Sequence, residues 1–210
     1  MLLNSPSIIL CPECGAKFSK MNVASGNTFG AIFWSDGSFL APHLPQIPWF
    51  AKCSQCRTIF NVNNAEVFHD GEFPESMGAV DVDALPEVSP LSFDCIIRAL
   101  SENVIKTREE EIYLRTKLWQ NMNYHPMRGE MAVEHANSPE YRQNASILLN
   151  LLDDEDENNR LTKAELYRNL GEFDQCAAIL KTISSHSLKH TVSAIKDACK
   201  HHRRGTLHIE

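Results

Sequence analysis

The sequence predicts an α+β protein in two parts, a small antiparallel β module followed by a mainly α-helical domain. Three observations predict it. Two Cys-x2-Cys pairs fall within the first 56 residues, with β-branched and aromatic runs between and after them. From residue 92 onward, apolar residues recur at the three-and-four spacing of helices rather than in alternation. Between these regions, residues 65–91 hold Pro74, Pro86, Pro90, Gly71 and Gly78 with little periodicity, the composition of a linker with room for one short helical turn. The expected boundaries are therefore 1–64, 65–91 and 92–210. A chain of 210 residues, 43% of them apolar, has enough material for one sizeable core or a small module beside a medium one.

The β module is organised by Cys11-Pro12-Glu13-Cys14-Gly15 and Cys53-Ser54-Gln55-Cys56-Arg57. Two residues between cysteines let a tight turn, or knuckle, aim both thiolates at one centre. Glycine after the second cysteine supplies the positive φ such a turn favours. Two knuckles make a tetrahedral four-sulfur shell, which suits Zn(II) better than hard cations. Iron in a rubredoxin-like site is the competing occupant that the spacing leaves open. Cys11, Cys14, Cys53 and Cys56 are thus the predicted metal ligands. Four thiolates fill the shell, so no position remains to activate water, and the predicted Zn(II) is structural. His43 lies between the knuckles and reads as a loop residue.

The 38 residues separating Cys14 from Cys53 exceed the usual span of such sites. Residues 28–34 (T-F-G-A-I-F-W) are β-branched and aromatic, Asp36-Gly37 marks a turn, and Phe39-Leu40 begins a return strand. Residues 41–48 carry three prolines and read as an extended loop. Residues 58–62 (T-I-F-N-V) form a further strand. On these residues, region 8–64 resembles a zinc ribbon, in which two knuckles pin a small antiparallel sheet.

In the helical part, Phe93, Ile96, Ile97, Leu100 and Val104 lie on one face of a first helix. Thr107-x2-Glu110 is a capping box opening a second, with Ile112, Leu114, Leu118, Trp119 and Met122 on its apolar side and His125-Pro126 at its end. Ser138-Pro139 start a third as N-cap and first helical residue, running through Leu148, Leu149, Leu151 and Leu152. The acidic run 153–157 lacks the alternating oxygens and central glycine of a calcium loop, and it reads as a solvated loop whose charge favours the next helix N-terminus. Leu161, Ala164 and Tyr167 line that helix, Gly171 closes it, and Phe173, Cys176 and Leu180 line its partner.

Residues 158–185 resemble a tetratricopeptide repeat: Ala164-x2-Tyr167 stands for Gly-x2-Tyr, and Cys176-x3-Leu180 for Ala-x3-Phe. Arg160, Lys163 and Leu188 depart from that pattern. One repeat period later, Ile195, Ala198 and Gly205 echo Leu161, Ala164 and Gly171, and Leu188, Val192, Ile195 and Cys199 form an apolar stripe. The resemblance implies a partial second repeat over 188–205 and a scaffold of the kind that docks peptides. A ribbon preceding such a half is also similar to a group of uncharacterised bacterial proteins, a likeness that carries no activity with it.

Charge and missing motifs narrow the function. The net charge is −7, yet residues 1–64 hold four basic groups against two acidic ones. An acidic chain lacks the electrostatic footprint of a dedicated nucleic-acid binder. Eight of the 17 aromatic residues, Phe18, Phe29, Phe33, Trp34, Phe39, Trp49, Phe50 and Phe60, lie in the β module. Beside Lys17, Lys20, Lys52 and Arg57 they are either a stacking surface for single strands or core filling. Seven cysteines without a signal-like N-terminus argue for a reducing, cytoplasmic compartment, and Cys95, Cys176 and Cys199 read as small buried apolar residues. No segment is apolar enough to span a membrane. His186 with His190, and His201-His202, lack companion ligands and complement helix ends instead. No phosphate-binding glycine loop, H-E-x-x-H or G-x-S-x-G is present. The leading expectation is a non-enzymatic, zinc-binding adaptor or regulatory protein whose partner is another protein. The alternatives are a nucleic-acid-associated regulator acting through the ribbon, and an enzyme with an unrecognised site in the helical half or at the domain junction.

Overall fold

The computed structural model describes residues 1–70, 82–123 and 137–209. Gly71, Pro74, Gly78, His125 and Pro126, all used in the sequence reading, lie outside the described residues. The protein is α+β: small antiparallel sheets occupy the N-terminal half, and six α-helices follow among the described residues. The chain divides into two compact units, Met1–Ala31 with Ala41–Val104, and Ile32–Leu40 with Ile105–Glu210.

The first unit is built on β1 (Leu2–Leu10) and β2 (Lys17–Ser25), antiparallel strands joined by the first knuckle with Leu10 opposite Lys17. The sequence reading missed both. Pro6 lacks a ladder donor, and the polar run around it and around Asn22 hides the alternation; the register shifts between Asn4 and Ser7, where Pro6 sits. Asn22 spans this irregularity, its Nδ2 donating to the Ser5 carbonyl at 2.9 Å and to Ser7 Oγ at 2.8 Å. β7 (Val67–His69) adds to the other edge of β1, giving the order β2-β1-β7. The segment read as a linker therefore contributes a strand. It also holds the short helical turn at Val82–Ala84 and a bridge in which Val88 N–H donates to the Ser19 carbonyl.

β5 (Phe50–Lys52) and β6 (Ile59–Asn61) form a second hairpin around the second knuckle. Ile9, Phe18, Ala51, Phe60 and Val62 pack with Cys11 and Cys53 into one core. Helix α1 (Phe93–Ser101) completes the unit, with Ser92 as N-cap. Its buried side is Cys95, Ile96 and Ala99, while Phe93 and Ile97 of the expected stripe are exposed and Val104 falls beyond the helix. Cys95 is buried as read, whereas the small Ala99 is a buried position that a pattern weighted toward large side chains does not register.

The second unit contains α2 (Arg108–Met122), α3 (Pro139–Leu151), α4 (Glu157–Leu170), α5 (Phe173–Leu180) and α6 (Lys189–Lys200). The start signals at Thr107 and Ser138 act as read: Thr107 and Glu110 make a reciprocal capping box, and Ser138 caps α3 with Pro139 at its first turn. The acidic run does local work. Asp156 caps α4, and Glu157 accepts from the amides of Ser184 and Ser185, contacts that hold its carboxyl below the usual range. Trp119, Tyr141, Ala145, Leu148 and Leu166 form one core; Ala164, Cys176, Leu180, Ile195 and Cys199 form another. Gly171 ends α4 in the left-handed conformation, as read. The last helix stops earlier than the Gly205 echo implies: His202 takes the positive φ, and the chain runs on into β8 (His208–Ile209).

Strand β3 (Ile32–Trp34) pairs with β4 (Phe39–Leu40) through the Asp36-Gly37 turn, and its other edge pairs with β8. The sequence reading kept this hairpin with the knuckles. The structure groups it with the helices instead, so the chain leaves the first unit after Ala31 and returns at Ala41. A buried polar network explains this. Ser35 Oγ donates to Glu165 Oε1 at 2.6 Å and receives the Leu207 amide at 2.8 Å. Asp36 accepts from the side chains of Gln120 and Asn123. Asn123 in turn accepts from the Tyr141 hydroxyl, which also receives Trp119 Nε1–H and, like it, reaches Asn169 Oδ1. Arg168, fully buried, pairs with Glu165 and donates to the carbonyls of Arg203 and Gly205. The extra length between the knuckles is thus a strap that belongs to the helical unit.

Candidate metal centre

The two knuckles are near-copies of each other. In the first, the Cys11 amide donates to the Ala16 carbonyl at 2.8 Å and the Gly15 amide to the Cys11 carbonyl at 2.9 Å. In the second, the Cys53 amide donates to the Thr58 carbonyl at 2.8 Å and the Arg57 amide to the Cys53 carbonyl at 3.1 Å. Gly15 and Arg57 occupy the same place, and both adopt positive φ, 69° and 65°. Arginine tolerates this conformation only at a cost, and its carbonyl is braced by the Arg98 guanidinium of α1 at 2.5 Å. Phe18 and Phe60, equivalent positions after each knuckle, meet with ring centroids 5.8 Å apart in the core beneath.

Gly15→Ala is expected to destabilise the first unit by about 1 kcal/mol. Apart from its chain neighbours, no described residue places an atom within 4 Å of the added Cβ, so the cost is one of backbone conformation. Urea unfolding of the metal-loaded chain checks this, and an unchanged midpoint would mean that the turn does not need glycine.

The knuckles bring all four predicted ligands together. The Sγ atoms of Cys11, Cys14, Cys53 and Cys56 lie within 4.8 Å of one another. Cys11 and Cys56 approach to 3.6 Å, as do Cys14 and Cys53. A tetrahedron with metal–sulfur bonds of about 2.3 Å has sulfur–sulfur edges of about 3.8 Å, so the cluster fits a four-coordinate ion. Cys11 and Cys53 are buried; Cys14 and Cys56 face outward. Amides of Gln55 and Cys56 point at Cys53 Sγ at 3.4 and 3.5 Å, the donors that offset thiolate charge. Burial pushes the Cys11 thiol up to about 12, whereas hydrogen bonding to the Thr58 hydroxyl draws Cys56 down to about 6. Without a cation Cys11 keeps its proton, so metal loading releases a proton there and weakens as pH falls.

Other sequence candidates are placed elsewhere. His43 is exposed and outside the cluster. His186, His190, His201 and His202 are exposed, and His201 contacts Asp197 one turn back. Among the described residues, the four cysteines are the one group arranged to hold a metal ion. Of the aromatics weighed as a stacking surface, Phe18, Phe50 and Phe60 are buried in the first unit and Trp34 in the second. Phe29 and Trp49 are exposed. Sequence reasoning missed Thr58 and Arg98 as supports of the second knuckle; neither belongs to a motif, and only the fold brings Arg98 to Arg57. Among the described residues, no helix is long and apolar enough to cross a membrane. No family model, curated protein or solved structure matches this chain.

Proposed function

We propose that the protein is a non-enzymatic adaptor or regulatory protein of the cytoplasm, with a structural Zn(II) in a zinc-ribbon unit and a tetratricopeptide-like helical unit that docks another protein. The observation that carries the metal assignment is the convergence of four thiols, two of them buried, on one centre that no histidine or carboxylate joins among the described residues. A shell closed by four sulfurs holds structure and leaves no site for a substrate or an activated water. Zn(II) is the proposed occupant, with iron in the same four-thiolate shell as the alternative; the metal content of the purified chain and the absence of visible sulfur-to-iron absorption test that choice.

Support for the docking role comes from the paired helices α4 and α5, turned by Gly171, with α6 packed against both. The enzyme reading is weakened by the fate of the buried charged groups. Asp36, Glu165 and Arg168 are committed to partners within one closed network rather than directed into a cleft. The nucleic-acid reading loses the buried rings, and Lys17 is engaged over the Phe68 ring at 3.8 Å.

Affinity capture of the intact chain from its native lysate, with and without nuclease, tests the adaptor reading. A protein recovered in stoichiometric amount after nuclease treatment is the expected result. Recovery that vanishes with nuclease, together with affinity that falls steeply with salt, would overturn it in favour of nucleic-acid association.

A further inference from the structure

Two of the cysteines outside the metal centre are not isolated. Cys176 of α5 and Cys199 of α6 meet in the second unit with their sulfurs 2.7 Å apart. The nearest sulfurs of the metal cluster stand 3.6 Å apart, spread around a place for an ion. The Cys176–Cys199 pair has no such geometry, because Ala164, Leu180 and Ile195 enclose it and no third ligand group joins it among the described residues. Very little movement separates these sulfurs from the bonding distance of about 2.05 Å.

The pair is asymmetric in ways that assign an order of reaction. Cys176 is fully buried, whereas Cys199, in the last turn of α6, keeps 6% of its surface exposed. The hydrogen bond between the two thiols lowers Cys199 and raises Cys176, which keeps the proton on the deeper sulfur. Cys199 is therefore the thiol that an external reagent meets first, with Cys176 behind it as the resolving thiol.

We propose that Cys176 and Cys199 form a redox-active dithiol that closes to a disulfide, joining α5 to α6, by exchange with a small-molecule disulfide. In the first step the Cys199 thiolate attacks one sulfur of the reagent. That sulfur–sulfur bond breaks, one thiolate leaves, and Cys199 carries a mixed disulfide. Cys176 then gives up its proton and attacks Cys199 Sγ, forming the internal bond and expelling the second thiolate. Two protein thiols are oxidised, one external disulfide is reduced to two thiols, and the protons end on the departing sulfurs. In a reducing compartment such a pair stays open and closes only when the thiol pool is oxidised. Closure ties the last helix covalently to its neighbour.

The test uses the intact, metal-loaded chain equilibrated in glutathione buffers from fully reduced to fully oxidised, then acid-quenched, alkylated and digested with trypsin. The expected product is peptide 169–181 joined to peptide 197–200, two hydrogens lighter than the two together, in a fraction that rises with oxidised glutathione. The closed form should also melt at a higher temperature than the open one. Both thiols recovered alkylated at the oxidised end, with metal retained, would overturn the proposal. Cys176→Ala should trap glutathione on Cys199, whereas Cys199→Ala should leave Cys176 unmodified; the reverse pattern would overturn the assigned order. The unsubstituted chain decides the main point, so a variant that folds poorly does not obscure it.

Discussion

Stripping the metal from the intact chain is expected to unfold its first unit while leaving the helices of the second in place. The core of that unit is small, and Cys11 and Cys53 are part of it beside Ile9, Phe18, Ala51 and Phe60. Structural Zn(II) contributes on the order of 10–16 kcal/mol in comparable four-ligand sites. A whole domain is typically stable by only about 5–15 kcal/mol, so the metal-free unit has little left to hold it. Cys53→Ser should behave likewise, since it removes a buried ligand that also receives two amide hydrogen bonds. Elemental analysis should fall from one ion per chain toward none. Near-ultraviolet circular dichroism from the knuckle aromatics should collapse, while the helical far-ultraviolet signal largely persists. Acidification should reproduce the loss, because protons compete with the ion for the thiolates. Full retention of metal and fold by the Cys53→Ser chain would refute the site.

The second large effect is expected at Arg168. Its guanidinium and the Glu165 carboxylate are both fully buried, with two N–H groups of the arginine on the two carboxylate oxygens. Arg168→Met leaves the Glu165 charge buried and unpaired, and it also strips donors from the carbonyls of Arg203 and Gly205. Removing one partner of such a pair costs about 3–5 kcal/mol. Combining it with Glu165→Gln should recover part of the loss, because the neutral amide keeps an acceptor for Ser35 without an orphaned charge. Urea unfolding followed by helical circular dichroism measures both. A cost below about 1 kcal/mol for the single change would mean that solvent reaches the pair and that the network does not hold the Ser35 strap.

These two sites differ in how plainly the residues announce them. The cysteine cluster was readable because its geometry is local: Cys-x2-Cys is a turn, the turn aims two sulfurs, and two such turns bring four together. Helix starts at Thr107 and Ser138 were readable for the same reason, since a cap and its acceptor lie three residues apart. Strands β1 and β2 were not, because Pro6 and a run of serine and asparagine disguise a pairing that the first knuckle enforces from its end. The buried side of α1 was misjudged at Phe93 and Ile97, which face outward, and at Ala99, which turns inward; Cys95 is buried as read.

The α+β class, the pairing of four cysteines in two knuckles and the starts of several helices follow from the sequence alone, all consequences of contacts within a turn or two of chain. Only the tertiary structure decided that the hairpin at Ile32–Leu40 belongs with the helices, that Glu165 and Arg168 are buried together with Ser35, and that Cys176 lies against Cys199. Ser35 and Glu165 are 130 positions apart. No periodicity spans that distance, and a polar residue shows its partner only once burial has removed water as the alternative.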